Sequence, residues 1–131
     1  RMLNIICNDK LSAAGRMGLR VTAQIRDVEC SDLKDMDVTT IFANLLDNAI
    51  EAAQGTEGAF LDIKMQNVHQ FRVISIVNAM EPGRKKPGHS GIGLENVRRT
   101  LEKYHGTIRQ ETVDGEYRVS GLLPKKEEKE E

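Results

Sequence analysis

Thr40-Ile41-Phe42-Ala43-Asn44-Leu45-Leu46-Asp47-Asn48-Ala49-Ile50-Glu51-Ala52-Ala53 is the stretch from which the rest of the chain can be read. Its apolar residues recur with a helical period, so Ile41, Phe42, Leu45, Leu46, Ala49, Ile50 and Ala53 share one broad face. Thr40, Asn44, Asp47, Asn48 and Glu51 fall in a narrower polar stripe opposite. Asn44 and Asn48 are four apart, which sets one amide above the other. A solvated helix face is one reading of that stripe. Asparagine, however, is a poor helix-interior residue, because its side chain competes for the backbone. Its amide oxygen is a good ligand for a hard cation, and magnesium usually takes few protein oxygens beside water and phosphate. A metal-and-phosphate role is the second reading.

The length of 131 residues suits one domain with one core. A net charge of −1 does not indicate a nucleic-acid surface. The absence of tryptophan weakens any base-stacking platform. Cys7 and Cys30 stand far apart without metal-ligand spacing and read as reduced thiols of a cytoplasmic protein. No apolar run is long enough for a membrane span, and no signal peptide is visible. The chain begins at Arg1, and we expect it to be a piece of something longer.

Working outward, residues 1–17 are helix-like, with Met2, Leu3, Ile6, Ala13 and Met17 as packing positions, blurred by Leu11 and Ala14. Gly15 and Gly18 break that pattern. Arg20 to Val28 alternates as a half-buried strand, and Asp37 is the expected N-cap of the central helix. Phe60 to Val68 and Phe71 to Asn78 form an antiparallel hairpin across His69-Gln70. Asn78 ends the second strand on the side of Ile74 and Ile76. Residues 79–90 carry Pro82, Gly83, Pro87, Gly88 and three cations, and read as a mobile linker. A helix then opens at Gly91-Ile92-Gly93, with Leu94, Val97, Leu101 and Tyr104 on one face and Gly106 as its C-cap. Thr107 to Val113 and Glu116 to Leu123 make a hairpin across Asp114-Gly115, a favoured tight-turn pair. Residues 125–131 are a charged tail. Strands wet on one side predict a two-layer α/β sandwich, of α+β type, with about five mostly antiparallel strands and three helices on one face.

Gly88-His89-Ser90-Gly91-Ile92-Gly93-Leu94 is the second informative stretch. Glycines before a helix start let backbone approach a ligand, and the first amides of the helix are free donors suited to phosphate. An ordinary glycine-rich loop is the other reading. No P-loop, nucleophile elbow or His-Glu-x-x-His occurs, and Gly91-x-Gly93-x-x-Asn96 lacks the third glycine of a dinucleotide fingerprint.

Asn44-Leu45-Leu46-Asp47-Asn48-Ala49-Ile50-Glu51-Ala52 resembles the N-box of bacterial sensor histidine kinases. Gly91-Ile92-Gly93-Leu94-Glu95-Asn96-Val97 resembles their G2-box. The resemblance covers nearly the whole chain and extends to the gyrase, chaperone and histidine-kinase superfamily with the Bergerat fold. Its wording is most similar to peptide-sensing and to citrate or dicarboxylate sensor kinases. It implies ATP and Mg2+ as cofactors. Asn48 would be the metal ligand, and Asn44 the catalytic residue beside it, contacting phosphate or metal. Ala52 would lie in the ATP site, and Gly91, Ile92, Gly93 and Leu94 would serve the phosphates. Asn78 falls where the family usually carries an adenine-binding aspartate, and the following Asp-x-Gly-x-Gly pattern is missing. Asn44 stands where hydrolytic relatives carry a glutamate base, and an amide cannot take a proton from water. Glu51 replaces a common lysine, which leaves Lys85, Lys86, Arg98 and Arg99 as candidate phosphate cations or as surface charge.

The resemblance thus implies the catalytic domain of a histidine kinase in residues 18–124. Residues 1–17 would be the end of the linker or dimerisation region and 125–131 a tail. No phosphoacceptor is expected in this chain, since His69, His89 and His105 lack an acidic neighbour after them. The implied partners are the dimerisation domain of a homodimeric parent and a response regulator, with no nucleic acid and no direct membrane contact. The setting would be the cytoplasmic side of a membrane receptor. A regulatory nucleotide-binding module and an anti-sigma-type serine kinase are the alternatives.

Overall fold

The computed structural model describes residues 2–81 and 92–126. In chain order it contains α1 (Met2–Arg16), β1 (Arg20–Ile25), α2 (Asp35–Ala53), β2 (Phe60–Val68), β3 (Phe71–Ala79), α3 (Ile92–Glu102), β4 (Thr107–Val113) and β5 (Glu116–Pro124). The strands form one sheet in the order β1-β2-β3-β5-β4. β1 and β2 are parallel and joined through α2, as a parallel pair requires a crossover. The other pairings are antiparallel.

Register carries one buried face across the sheet. Leu61 faces Asn78, Ile63 faces Ile76, and Met65 faces Ile74. Asn78 faces Tyr117, and Ile76 faces Val119. These side chains are buried, whereas Asp62, Lys64, Arg118 and Ser120 turn outward and are exposed. The helices cover the buried face. Ile41, Phe42, Leu45, Leu46, Ala49 and Ala53 of α2 join Leu94, Val97 and Leu101 of α3 and Leu3, Ile6, Cys7 and Ala14 of α1 in one core. This is the two-layer, five-stranded, three-helix sandwich the alternation predicts, and the hairpins at His69-Gln70 and Asp114-Gly115 fall where expected.

Several local expectations are corrected. α1 buries Leu3, Ile6, Cys7 and Ala14, while Met17 is exposed. β1 stops at Ile25; Asp27 takes a left-handed conformation (φ 46°), and Val28 is buried outside the strand. Asp37 is not the N-cap of α2. Lys34 holds that position without a side-chain cap, and Asp37 lies within the first turn. At the end of α3 the left-handed residue is His105 (φ 64°), not Gly106. The Gly106 amide donates to Leu101 O at 2.8 Å and that of His105 to Glu102 O at 3.1 Å, a Schellman pattern one residue earlier than predicted. Gly106 is needed for space: a Cβ there would stand 2.8 Å from the Leu122 carbonyl oxygen. The linker falls largely on residues 82–91, outside the described residues.

A buried ion pair locks the far end of the sheet. Arg72 shares the face of Ile74 and Ile76, yet its guanidinium is 3 % exposed. It donates to both carboxylate oxygens of Asp32 at 2.7 and 3.0 Å, and to the carbonyls of Glu29, Leu123 and Pro124. This fork holds the Asp32 carboxyl below the usual carboxylate range. Cys7 and Cys30 are free and buried, and burial pushes the Cys7 thiol up to about 11, which keeps it un-ionised.

Candidate functional site

The polar stripe of α2 divides into three uses. Thr40 turns its hydroxyl back to Met36 O at 3.0 Å. Asp47 reaches across to α1 and pairs with Lys10 at 2.9 Å. Asn48 points the other way, toward α3. Its side chain is buried, and its Nδ2 has no hydrogen-bond partner among the described residues.

What faces Asn48 is the first turn of α3. A Cβ placed on Gly93 would lie 3.6 Å from Asn48 Nδ2 and 3.7 Å from its Oδ1. The glycine-led helix tip and the second asparagine of α2 are therefore adjacent, although 45 positions separate them in the sequence. Asn44 lies one helical turn earlier and is half-buried. Ala52 is buried one turn later. Leu94 packs its side chain into the core, which leaves its backbone as the group available at the tip.

Asn78 closes the same end of the sheet. It is fully buried in β3, between Leu61 and Tyr117 in register. Its Nδ2 donates to Ala79 O at 2.9 Å, and its Oδ1 has no partner among the described residues. Buried amides normally find partners for both ends, because an unmade hydrogen bond in the interior costs about 1–3 kcal/mol. Two such amides, each with an atom unpartnered among the described residues, are a physical reason to expect a polar ligand. The open Nδ2 of Asn48 is a donor suited to a phosphate oxygen, its Oδ1 is the hard oxygen that magnesium takes, and the open Oδ1 of Asn78 is an acceptor for an amino group. The residues present thus fit a nucleotide and its metal.

Not every candidate gathers there. Arg98 and Arg99 both pair with Glu95 on their own helix, at 2.6 and 3.5 Å, and lie exposed. Gly91, Lys85 and Lys86 lie outside the described residues, and Ile92 is described only as the first residue of α3. Among the described residues there is no acidic or His/Cys cluster able to hold a metal, so an ion here would rest on amides, water and phosphate.

Sequence reasoning missed one network, at the opposite end of the α2–α3 pair from Asn48 and Gly93. Asp37 is buried in the first turn of α2 and accepts from the Tyr104 hydroxyl and from Lys103 Nζ at 2.7 Å. Tyr104 Oη in turn accepts from the Lys34 amide at 3.2 Å, serving the N-terminus that lacks a side-chain cap. The hydrogen bonds from Lys103 and Tyr104 hold the Asp37 carboxyl below its ordinary range. No local spacing announces these partners, which lie up to 70 positions apart.

A family model described as "GHKL domain" matches residues 33–124, and the chain belongs to that family. Its fold is that of histidine kinase catalytic domains. The nucleotide-free catalytic domain of histidine kinase ThkA superposes with a TM-score of 0.73 at 18 % identity, over 95 % of this chain and 90 % of that one. The histidine kinase AdeS of Acinetobacter baumannii gives 0.71 at 16 % identity, over 94 % of this chain and 62 % of that one. The histidine kinase domain of a blue-light-activated kinase from Erythrobacter litoralis gives 0.75 at 13 % identity, over 93 % and 58 %. No curated protein sequence matches the chain. No helix among the described residues is long and apolar enough to cross a membrane.

Proposed function

We propose that this chain is the ATP-binding catalytic domain of a sensor histidine kinase, binding Mg·ATP between α2, the end of β3 and the tip of α3. The observation that carries the reading is the apposition of Gly93 with the buried amide of Asn48, whose Nδ2 has no partner among the described residues. Membership of the GHKL family and the likeness in fold to histidine kinase catalytic domains support it.

Asn48 would hold the metal, with Asn44 beside it toward the phosphates. Asn78 would present its free Oδ1 to the adenine amino group, and Ala52 would border the base. The backbone of Gly91, Ile92, Gly93 and Leu94 would receive phosphate oxygens, where the helix N-terminus favours negative charge. Bound Mg·ATP supplies the transferable phosphoryl group and the cation that offsets its charge. The chain's own residues orient it, and placement is most of what this chemistry asks of a protein. Asn44, being an amide, does not activate water, so the γ-phosphate is kept for a protein acceptor. That acceptor is a histidine on a separate dimerisation domain of the parent, to which residues 1–17 lead. A response regulator receives the phosphoryl group next, on the cytoplasmic side of a membrane receptor. The asparagine at position 78 is in keeping with the peptide-sensing subtype.

The test is Mg2+-dependent ATP binding by Asn48→Ala. We expect loss of at least about tenfold in affinity, with stability within about 1 kcal/mol of the parent, because the Nδ2 removed has no partner among the described residues. Unchanged magnesium-dependent affinity would show the site assignment to be wrong. The neutral Asn78 favours a second reading, a nucleotide-binding regulatory module without phosphotransfer. An acceptor domain supplied in trans separates the two: labelled phosphate on its histidine supports the kinase, and binding without transfer the module.

A further inference from the structure

We infer that Asp37, Tyr104 and Lys103 form a positioning clamp, which fixes the C-terminal end of α3 on the start of α2 and so sets where the tip of α3 stands against Asn48. This rests on the nucleotide-site reading above; the three residues touch neither proposed phosphate nor metal positions.

The helices run antiparallel, since Gly93 meets Asn48 late in α2 while Tyr104 and Lys103 meet Lys34 and Asp37 at its beginning. Between these two contacts α3 packs on the core through Leu94, Val97 and Leu101, and its buried Thr100 turns its hydroxyl back to Asn96 O on its own helix. Apolar packing is non-directional and tolerates small tilts and slides. Among the described residues, the directional restraint between the two helices lies at the far end, where one buried carboxylate takes a hydroxyl and an ammonium, and the same hydroxyl takes a backbone amide. Charge-assisted bonds to a buried carboxylate are the strong and geometrically demanding kind. α3 is 11 residues long, about 16 Å from end to end. A tilt of about 5° about the clamped end therefore moves its tip by roughly 1.4 Å, enough to misplace backbone donors that must meet phosphate oxygens.

The chemistry of the cluster fits positioning better than capping alone. Lys34 needs only an acceptor for its amide, which a Glu or Gln three residues on would provide in a capping box. Here the acceptor comes from α3, so the start of α2 and the end of α3 order each other.

The experiment uses the isotope-labelled chain and three variants, Tyr104→Phe, Asp37→Asn and Lys103→Arg, followed by amide NMR with Mg·ATP and with adenosine as probes. Adenosine engages the base pocket but has no phosphates to meet the tip. Tyr104→Phe and Asp37→Asn are expected to weaken Mg·ATP roughly five- to tenfold while leaving adenosine within about twofold, and Lys103→Arg to behave as the parent. Without ligand, the amide signals of Gly93, Leu94 and the Asn48 side chain shift in the first two variants, and those of the β4–β5 hairpin do not. Equal weakening of both probes, or a tip whose ligand-free signals do not move, overturns the clamp. If the parent chain binds neither probe, the nucleotide reading fails and the ligand-free signals alone decide the clamp.

Discussion

Gly93→Ala separates the stability of α3 from the use of its tip. Gly93 has an ordinary helical backbone, outside the positive-φ glycines. The added Cβ would sit 3.6 and 3.7 Å from the two polar atoms of the Asn48 amide, distances of normal contact, so the ligand-free fold has room for the methyl. Replacing a helical glycine by alanine is worth about 0.5–1 kcal/mol. A first-turn position takes the lower end of that range, which for a chain of this size raises Tm by about 2 °C. The same methyl occupies the space beside Asn48 where phosphate and metal are proposed to lie. Forcing an extra methyl into a filled site costs about 1–3 kcal/mol, so Mg·ATP affinity should fall about tenfold or more. Scanning calorimetry reads the first effect and titration calorimetry the second, on one preparation. Unaltered affinity would mean that no ligand approaches this helix tip. A lowered Tm would mean that the space next to Asn48 is already taken in the free protein.

Asn78→Leu removes an acceptor that has no partner among the described residues and keeps similar volume; stability by urea denaturation should stay within about 1 kcal/mol while ATP binding is lost. Asp32→Ala leaves the buried Arg72 guanidinium with carbonyl acceptors alone, at a cost of about 3 kcal/mol. Because the fork from Arg72 lowers the Asp32 pKa in the folded chain, its contribution is present above about pH 4 and disappears as pH falls through that lowered pKa. The gap between parent and variant should therefore close on acidification, and a gap constant down to about pH 2 would refute the assignment. Gly106→Ala drives a Cβ to 2.8 Å from the Leu122 carbonyl oxygen, which is backbone and cannot swing away; a loss of about 1–3 kcal/mol, or roughly 3–10 °C in Tm, is expected by thermal melting.

The amino-acid sequence by itself determined what depends on neighbours along the chain. The 3.6-residue period of α2, the alternation in β2, β3 and β5, and the Asp114-Gly115 turn, whose residues both take positive φ, are local chemistry and occur where the pattern puts them. The buried Arg72 also left a trace, as a lone cation two residues before Ile74 in the same alternation. Tertiary structure decided the rest. Lys34, not Asp37, is the N-cap; its amide finds an acceptor on a tyrosine 70 positions away, and the aspartate in the first turn binds α3. His105 takes the left-handed position, and Gly106 lies against the Leu122 carbonyl, where a side chain has no room. Gly93 came to stand beside Asn48 only when the two helices packed antiparallel over one sheet. Period and turn chemistry are written residue by residue, but a site made of two distant segments exists only where the shared core holds them together.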